Sequence, residues 1–165
     1  MKTRYILLNR IIIFLLFFLI INKSFAEDIV KIILKIDNKI ITNLDLKREY
    51  NYLIALNEDL KNVEKQQVIN LAKTSTLKEK IKEIELSKYI KLGEEVNSYT
   101  KSVIKEIYQG LNIDNEKDFK LYLSKYNLTL KDVEKKIEIE TEWNKLIYNK
   151  FKNQIKINIK KIKAE

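Results

Sequence analysis

Three hydrophobic patterns divide the chain. An unbroken apolar run covers 11–21, an Ile- and Val-rich stretch with a polar break covers 29–41, and apolar residues at helical spacing dominate from 42 to 151. Apolar residues that recur every three or four positions indicate amphipathic helices, whereas a short β-branched run around a turn indicates strands. The pattern therefore predicts a mainly α-helical fold that begins with a β-hairpin.

The first structural element of this fold is the hairpin. Its strands are predicted over 29–36 and 40–41, on either side of a turn at 37–39 that reads Asp-Asn-Lys. Ile33 interrupts the alternation, and a two-stranded hairpin needs a helix or a third strand against it, because it is marginal in water by itself. The residues predicted to face inward are Val30, Ile32, Leu34 and Ile36.

About five helices are expected to follow. Polar residues three positions apart predict helix starts, because the first can cap the helix while the second bonds back to it. Gly93 and Gly110 are expected near helix ends. The predicted starts are Thr42 with Asp45, Thr76 with Glu79, Asp114 or Asn115, and Thr129 with Asp132. One helix is predicted to follow Thr42, and the others cover 76–92, 96–111, 116–126 and 129–151, with an additional short helix over 63–73.

The last helix is apolar on two sides. Leu130, Val133 and Ile137 share one face, and a second face carries Ile139, Trp143 and Leu146. A helix of this kind must be covered on both sides, so it is expected to be central in the fold. After it, residues 154–162 alternate apolar and polar, which predicts a short C-terminal strand that would complete a small sheet with the hairpin.

The N-terminus has the organisation of a cleavable signal peptide. Three basic residues precede the apolar run, and Ser24-Phe25-Ala26 places small residues where signal peptidase requires them. Cleavage between Ala26 and Glu27 is predicted, which divides the chain into a signal peptide, 1–26, and one domain, 27–165. The alternative is an uncleaved membrane anchor, although eleven apolar residues fall short of a hydrocarbon core of about 30 Å.

Composition excludes several classes of chemistry. The 165 residues include no His, no Cys, no Pro and two Gly, so histidine-based catalysis, thiol nucleophiles, thiolate metal sites and phosphate-binding glycine loops are absent. Without the signal peptide, 28 basic and 23 acidic residues remain, which gives a net charge of +5. Arg48 is then the only arginine. Lysines that alternate with glutamates are typical of solvated helix surfaces. Neither a cofactor, a metal nor a nucleic-acid partner is predicted.

Two sequence patterns occur that are also found in enzymes, and neither predicts catalysis here. Ser98 and Lys101 form an S-x-x-K sequence, which lacks the S-D-N and K-T-G motifs that accompany it in penicillin-binding proteins. Several carboxylates lie close together in lysine-rich helical sequence, where solvated surface is the expected role: Glu83, Glu85, Glu94, Glu95, Glu138, Glu140 and Glu142. No catalytic residue is predicted, and the protein is not expected to be an enzyme.

Tyrosine is the more informative residue type. Its ring is apolar and its hydroxyl can bond to peptide groups, which suits a surface that binds extended peptides. Four of the eight tyrosines in 27–165, Tyr50 among them, fall on the predicted helical stripes and are expected in the core. Tyr52, Tyr108 and Tyr148 lie off or at the margin of these stripes, so they are the candidates for peptide binding.

The sequence IVKIILKIDNKIITNLDL at 29–46 resembles the opening of the N-terminal domain of SurA-type periplasmic chaperones, with Ile41-Thr42-Asn43-Leu44-Asp45 as the nearest local match. The resemblance continues through the ordered helices to NLTLKDVEKKI at 127–137 and covers about 29–155. It implies a helical chaperone module in the periplasm of a Gram-negative type envelope, which binds unfolded outer-membrane proteins.

Many members of that family carry a parvulin-type prolyl isomerase domain after this module. Such domains are rich in glycine and use histidines, so the resemblance here extends to the chaperone module without the isomerase. In the family a C-terminal segment completes the module; here the 154–162 strand or a partner chain would do so. The alternative function is a non-catalytic structural or adaptor protein, held at the membrane surface by its basic face or by an uncleaved leader.

Overall fold

The computed structural model describes residues 29–93 and 97–154. In this part of the chain, a hairpin of β1 (Ile32–Ile36) and β2 (Lys39–Thr42) precedes five α-helices and one 3-10 helix (Glu58–Asn62). The mainly α-helical fold with an N-terminal hairpin is thereby confirmed. The α-helices are α1 (Asn43–Leu56), α2 (Lys65–Leu86), α3 (Ser98–Gly110), α4 (Glu116–Ser124) and α5 (Leu130–Phe151).

Some predictions concern residues outside the described ranges. These are the signal peptide at 1–26, its cleavage between Ala26 and Glu27, the Glu94–Glu95 pair, and the C-terminal strand at 154–162 beyond Gln154.

Side-chain caps define the helix starts. Thr42 Oγ1 accepts a hydrogen bond from the Asp45 N–H at 3.2 Å, and Asp45 Oδ2 accepts one from the Thr42 N–H at 2.7 Å. Thr129 and Asp132 form the same reciprocal box at α5, which confirms both predicted starts. Asn115 caps α4, one of the two predicted residues. Each cap satisfies amides that the first helical turn leaves without partners.

The segment from 63 to 92 differs from the prediction. In place of two helices, α2 runs without interruption from Lys65 to Leu86, and Thr76 is buried within it. Its hydroxyl donates to the Ala72 carbonyl at 2.8 Å, so it bonds backwards along the helix and does not cap a new one. Gly93 lies beyond the helix end with φ of +86°, a conformation that glycine adopts readily.

A β-bulge in β1 overturns the predicted inward face of the hairpin. Leu34 is opposite Ile41 and Ile32 is opposite Thr42, so Ile33 is an extra residue between the two pairs. Because side chains alternate between the faces of a strand, one extra residue moves those before it to the opposite face. Ile32 is therefore directed away from the face that carries the buried Ile41.

The hairpin side chains differ widely in their exposure to solvent. Ile41 is 2% exposed, and it anchors the hairpin against the helices. Of the four residues predicted to face inward, Ile36 is half-buried, while Val30, Ile32 and Leu34 are exposed. The hairpin contributes little to the core and presents most of its apolar side chains to solvent.

The main core lies among the helices. Val133 and Ile137 of α5 pack into it, whereas Ile139, on the other side of α5, is also fully buried. α5 contacts both α2 and α3, which confirms its predicted central position. The buried core cluster consists of Ala55, Ile104, Phe119, Leu123, Leu128, Val133 and Ile137.

Candidate functional site

Two regions with distinct chemistry occur near α1 and α2. One is a buried ionic cluster that joins α1, α2 and α5. The other is an apolar surface made by the hairpin and by a cleft between α1 and α2. The burial and the charge partners of their residues show which of the two regions suits the binding of another molecule.

The ionic cluster is built around Lys136 of α5. Its Nζ lies 2.5 Å from Glu49 Oε2 of α1 and also contacts Glu79 Oε2 of α2. The Glu49 residue is only 4% exposed. A buried carboxylate without a partner is strongly unfavourable, so this lysine is what allows Glu49 to lie inside the protein.

The protonation states of Lys136 and Tyr52 favour a structural role for this cluster over a catalytic one. Burial acts to lower the pKa of Lys136, but Glu79 and Glu49 outweigh it and the pKa is raised. The ammonium group also lies 4.7 Å from the centre of the Tyr52 ring. Burial, with smaller contributions from Glu49 and Glu79, raises the pKa of the Tyr52 phenol. Both groups keep their protons at neutral pH, whereas a nucleophilic or basic lysine needs a lowered pKa.

Glu49 was not singled out from the sequence, although a signal for it exists. It follows Leu46 by three residues and precedes Leu53 by four, so it lies on the predicted buried stripe of α1. A charged residue on an apolar stripe indicates a buried ion pair. Its partner is 87 positions away in the sequence, and only the packing of α5 reveals it.

The cleft lies between α1 and the N-terminal half of α2. Its volume is about 370 Å³, near the lower end of the roughly 300–1,000 Å³ that ligand pockets occupy. Most of its wall is apolar, and lysines from both helices contribute to the lining. The lining residues are Asn43, Leu46, Lys47, Tyr50, Asn51, Lys65, Ile69 and Ala72.

The hairpin presents a second apolar region, which we call the hairpin surface. Six large apolar residues within twelve positions are exposed, with Ile29 at 75% and Ile32 at 65%. They occur on both faces of the hairpin, and exposed apolar residues that cluster in this way mark binding surfaces more often than isolated ones do. The hairpin surface consists of Ile29, Val30, Ile32, Ile33, Leu34 and Ile40.

Asn43 connects the hairpin surface to the cleft. Its Oδ1 accepts a hydrogen bond from the Lys31 N–H at 2.7 Å, and its Nδ2 donates to the Ile29 carbonyl at 3.1 Å. The backbone N–H of Asn43 also donates to the Lys31 carbonyl at 3.0 Å. Since Asn43 also lines the cleft, the cleft begins where the first residues of the hairpin are attached.

The three candidate tyrosines occupy different environments. Tyr52 packs against the core and belongs to the ionic cluster, and Tyr108 packs against the core with its ring 5.9 Å from that of Phe119. Tyr148 is 63% exposed on α5. None of them lines the cleft between α1 and α2, whereas Tyr50 does. The helical stripe of α1 predicts that Tyr50 lies in the core, whereas in the structure Tyr50 lines the cleft.

The other candidate residues lie on helix surfaces. Ser98 and Lys101 are both exposed in the first turns of α3. The described carboxylates that were weighed as acid–base pairs have lysine or backbone partners: Glu83 with Lys80 and Lys135, Glu85 with Lys88, Glu138 with the Gly93 N–H, Glu140 with Lys82, and Glu142 with Lys145.

No family model, curated protein or solved structure matches this chain. The resemblance to SurA-type chaperones therefore stays a prediction from the residues. Within 29–93 and 97–154, none of the helices combines the length and hydrophobicity of a membrane span. The same residues contain no group of three or more metal-ligating side chains.

Proposed function

We propose that this protein is a periplasmic, chaperone-like protein that binds unfolded segments of outer-membrane proteins during outer-membrane assembly. The observation that carries the proposal is the hairpin surface, which places six large apolar side chains in solvent next to an apolar cleft. Burying apolar area on a client yields roughly 25 cal/mol per Å² before the entropy of ordering the client is subtracted.

The cleft supplies amphipathic contacts for such a client. Tyr50 offers a ring for apolar side chains and a hydroxyl for peptide groups, while Lys47 and Lys65 favour clients that carry carboxylates. Because an unfolded client must be ordered on binding, we expect a modest affinity, about micromolar. Apolar burial would provide most of the binding energy, so binding should persist when salt rises from roughly 50 to 500 mM.

Two assays test this function with the purified protein. The first measures whether it suppresses aggregation of an unfolded outer-membrane barrel protein on dilution from urea. The second measures binding of labelled aromatic-rich peptides, with Tyr50→Ala compared with Tyr99→Ala. Tyr99 is a matched control, since it is 59% exposed on α3 and lies outside the cleft. We expect Tyr50→Ala to bind the peptides more weakly than the unmodified protein does, and Tyr99→Ala to bind them equally well. If the unmodified protein neither suppresses aggregation nor binds the peptides, the proposal is rejected.

One observation favours a second candidate, the membrane-surface adaptor. The exposed isoleucines of the hairpin are interspersed with Lys31, Lys35 and Lys39, a combination that also suits an anionic lipid surface. Co-sedimentation with phosphatidylglycerol-containing vesicles distinguishes the two functions. Vesicle binding that salt abolishes, without peptide binding, would favour the adaptor.

A further inference from the structure

The first strand of the hairpin has one unused edge in the part of the chain that the structure describes. There the sheet contains two strands, and β1 pairs with β2 alone. β2 contacts α1 and α2, so the helices lie on the β2 side of the hairpin. The outer edge of β1 thus presents backbone N–H and C=O groups that can pair with another extended chain.

The bulge at Ile33 adds apolar side chains beside this edge. Ile32 and Ile33 are 65% and 51% exposed, and Leu34 on the other face is 42% exposed. A strand added at the edge would place its own side chains next to these residues on both faces of the sheet. Backbone pairing would supply part of the affinity, and the neighbouring side chains would select among sequences.

We propose that the outer edge of β1 binds the client as an added β-strand, and that the preferred client segment alternates apolar or aromatic residues with carboxylates. This inference rests on the proposed chaperone function and specifies how the client is held. The charge of the hairpin selects the client: Lys31, Lys35 and Lys39 outnumber the single Asp37. Of these lysines, only Lys35 lies within β1, the strand with which the client would pair. A carboxylate opposite Lys35 is a favourable cross-strand neighbour, whereas a lysine at the same position is not.

The positive charge of the hairpin also disfavours two other occupants of the edge. The chain's own segment 155–163 carries Lys156, Lys160, Lys161 and Lys163 and no carboxylate. Because this segment belongs to the same chain, it is a competitor for the edge that the test includes. A second copy paired through β1 would likewise bring lysines together.

The test uses peptides of about nine residues, long enough to cover a typical strand, that alternate Tyr or Phe with Glu. In a β-strand the N–H groups of successive residues point alternately to its two edges. Two N-methylated versions of the peptide are therefore made, and each has the N–H groups along one of its two edges blocked by methyl groups. Binding to the purified protein is measured by fluorescence anisotropy. We expect one methylated peptide to lose at least tenfold in affinity while the other changes less than threefold. Equal affinities for all three peptides would overturn the added-strand mode.

A charge reversal examines the selection of carboxylates. Lys35→Glu should weaken binding of the acidic peptide about three- to tenfold and restore the affinity of a peptide in which Glu is replaced by Lys. Lys101→Glu, a reversal at an exposed position of α3, is the matched control and should leave both affinities unchanged. If the two variants behave alike, the lysines of the hairpin do not select the client.

The outcomes separate this inference from the proposed function. Peptide binding that neither N-methylation nor Lys35→Glu affects would reject the added strand and leave the chaperone function in place. No peptide binding would reject the added strand, and if aggregation of the barrel protein is not suppressed either, it would reject the chaperone function as well. If Lys35→Glu strengthens self-association of the protein, the edge is assigned to a second copy. If the amides of β1 are protected from exchange without peptide, and this protection is lost when 155–165 is removed, the edge is assigned to the protein's own segment.

Discussion

The hairpin and the helical core use the same residue type in opposite ways. Ile139 of α5 is fully buried, whereas Ile32 of β1 is 65% exposed, and each belongs to a regular element with well-defined pairing or packing. Conversely, the charged Glu49 lies inside the helical region while the apolar residues of the hairpin lie outside. Hydrophobicity by itself therefore does not assign a residue to the core of this protein.

This difference separates stability from binding. In the helical region that the structure describes, each buried polar side-chain atom has a partner that compensates for the loss of water, such as Lys136 for Glu49. In the hairpin, apolar groups remain in contact with water in the described structure, which is the condition expected of a surface that later binds another chain. Four predictions test this division, from the largest expected effect to the smallest.

Truncation of isoleucine should affect the two regions very differently. Ile139→Ala should reduce the free energy of unfolding by about 3 kcal/mol, because it removes buried methyl groups and leaves a cavity. Ile32→Ala should change it by less than about 0.5 kcal/mol. Urea unfolding followed by circular dichroism provides both values. Equal losses would show that Ile32 is buried in solution; if Ile139→Ala does not fold, Ile139→Val gives a smaller change of about 1 kcal/mol.

Removal of the cation from the ionic cluster should also be strongly destabilising. Lys136→Met should lower the free energy of unfolding by about 2–3 kcal/mol, because Glu49 would lose its partner while remaining buried. Lys145→Met is the control, since its pair with Glu142 at 2.6 Å is on the surface, and a change below about 0.5 kcal/mol is expected. Similar small effects in the same denaturation assay would mean that the cluster is hydrated.

The cap that joins the two regions should make stability dependent on pH. Burial acts to raise the pKa of Asp45, but hydrogen bonds from Thr42, with Lys80 and Arg48, lower it below its ordinary value of 3.8. The stabilisation is therefore present above about pH 4 and is lost as the pH falls through the lowered pKa. Asp45→Asn should reduce stability by about 1 kcal/mol at pH 7 and by less at pH 3.

Unfolding measurements at both values of pH check this prediction. Asp114→Asn, in the exposed loop between α3 and α4, serves as the control for replacing one carboxylate by an amide. A constant difference between the unmodified protein and Asp45→Asn from pH 7 to pH 3 would contradict the assignment of the cap to the ionised carboxylate.

The smallest effect is expected where the hairpin is attached. Asn43→Ala removes two side-chain hydrogen bonds to residues 29 and 31, so amide exchange in this part of the hairpin should become several times faster. The amides of α5 should exchange as before, and the global free energy of unfolding should fall by less than about 1 kcal/mol. Exchange that accelerates equally in α5 would show that the hairpin and helices unfold as one unit.

Features determined by neighbouring residues could be predicted from the sequence. Thr42 with Asp45 and Thr129 with Asp132 were identified as caps because the bonds span only three residues. The central position of α5 followed from its two apolar faces. Thr76 with Glu79 has the same spacing, but Thr76 is buried within α2, where no residue interrupts the helix and its hydroxyl bonds to Ala72.

For the candidate site, the sequence predicted the type of residue and not its position. The sequence indicated tyrosine on a surface for extended peptides, but Tyr52 and Tyr108 pack against the core, and Tyr50 lines the cleft. A position on a helical stripe specifies that a residue faces other elements, and not whether those elements close over it. At Tyr50 the space between α1 and α2 stays open.

The amino-acid sequence by itself determined the mainly helical class with an N-terminal hairpin, the helix starts at Thr42 and Thr129 and the net positive charge, because each depends on composition or on residues a few positions apart. Tertiary structure decided which apolar residues are buried. The pairing of β1 with β2 creates the bulge that turns Ile32 outward, and the packing of α5 against α1 and α2 brings Lys136 to Glu49. Both results depend on contacts between separate elements, which no periodicity within one segment contains.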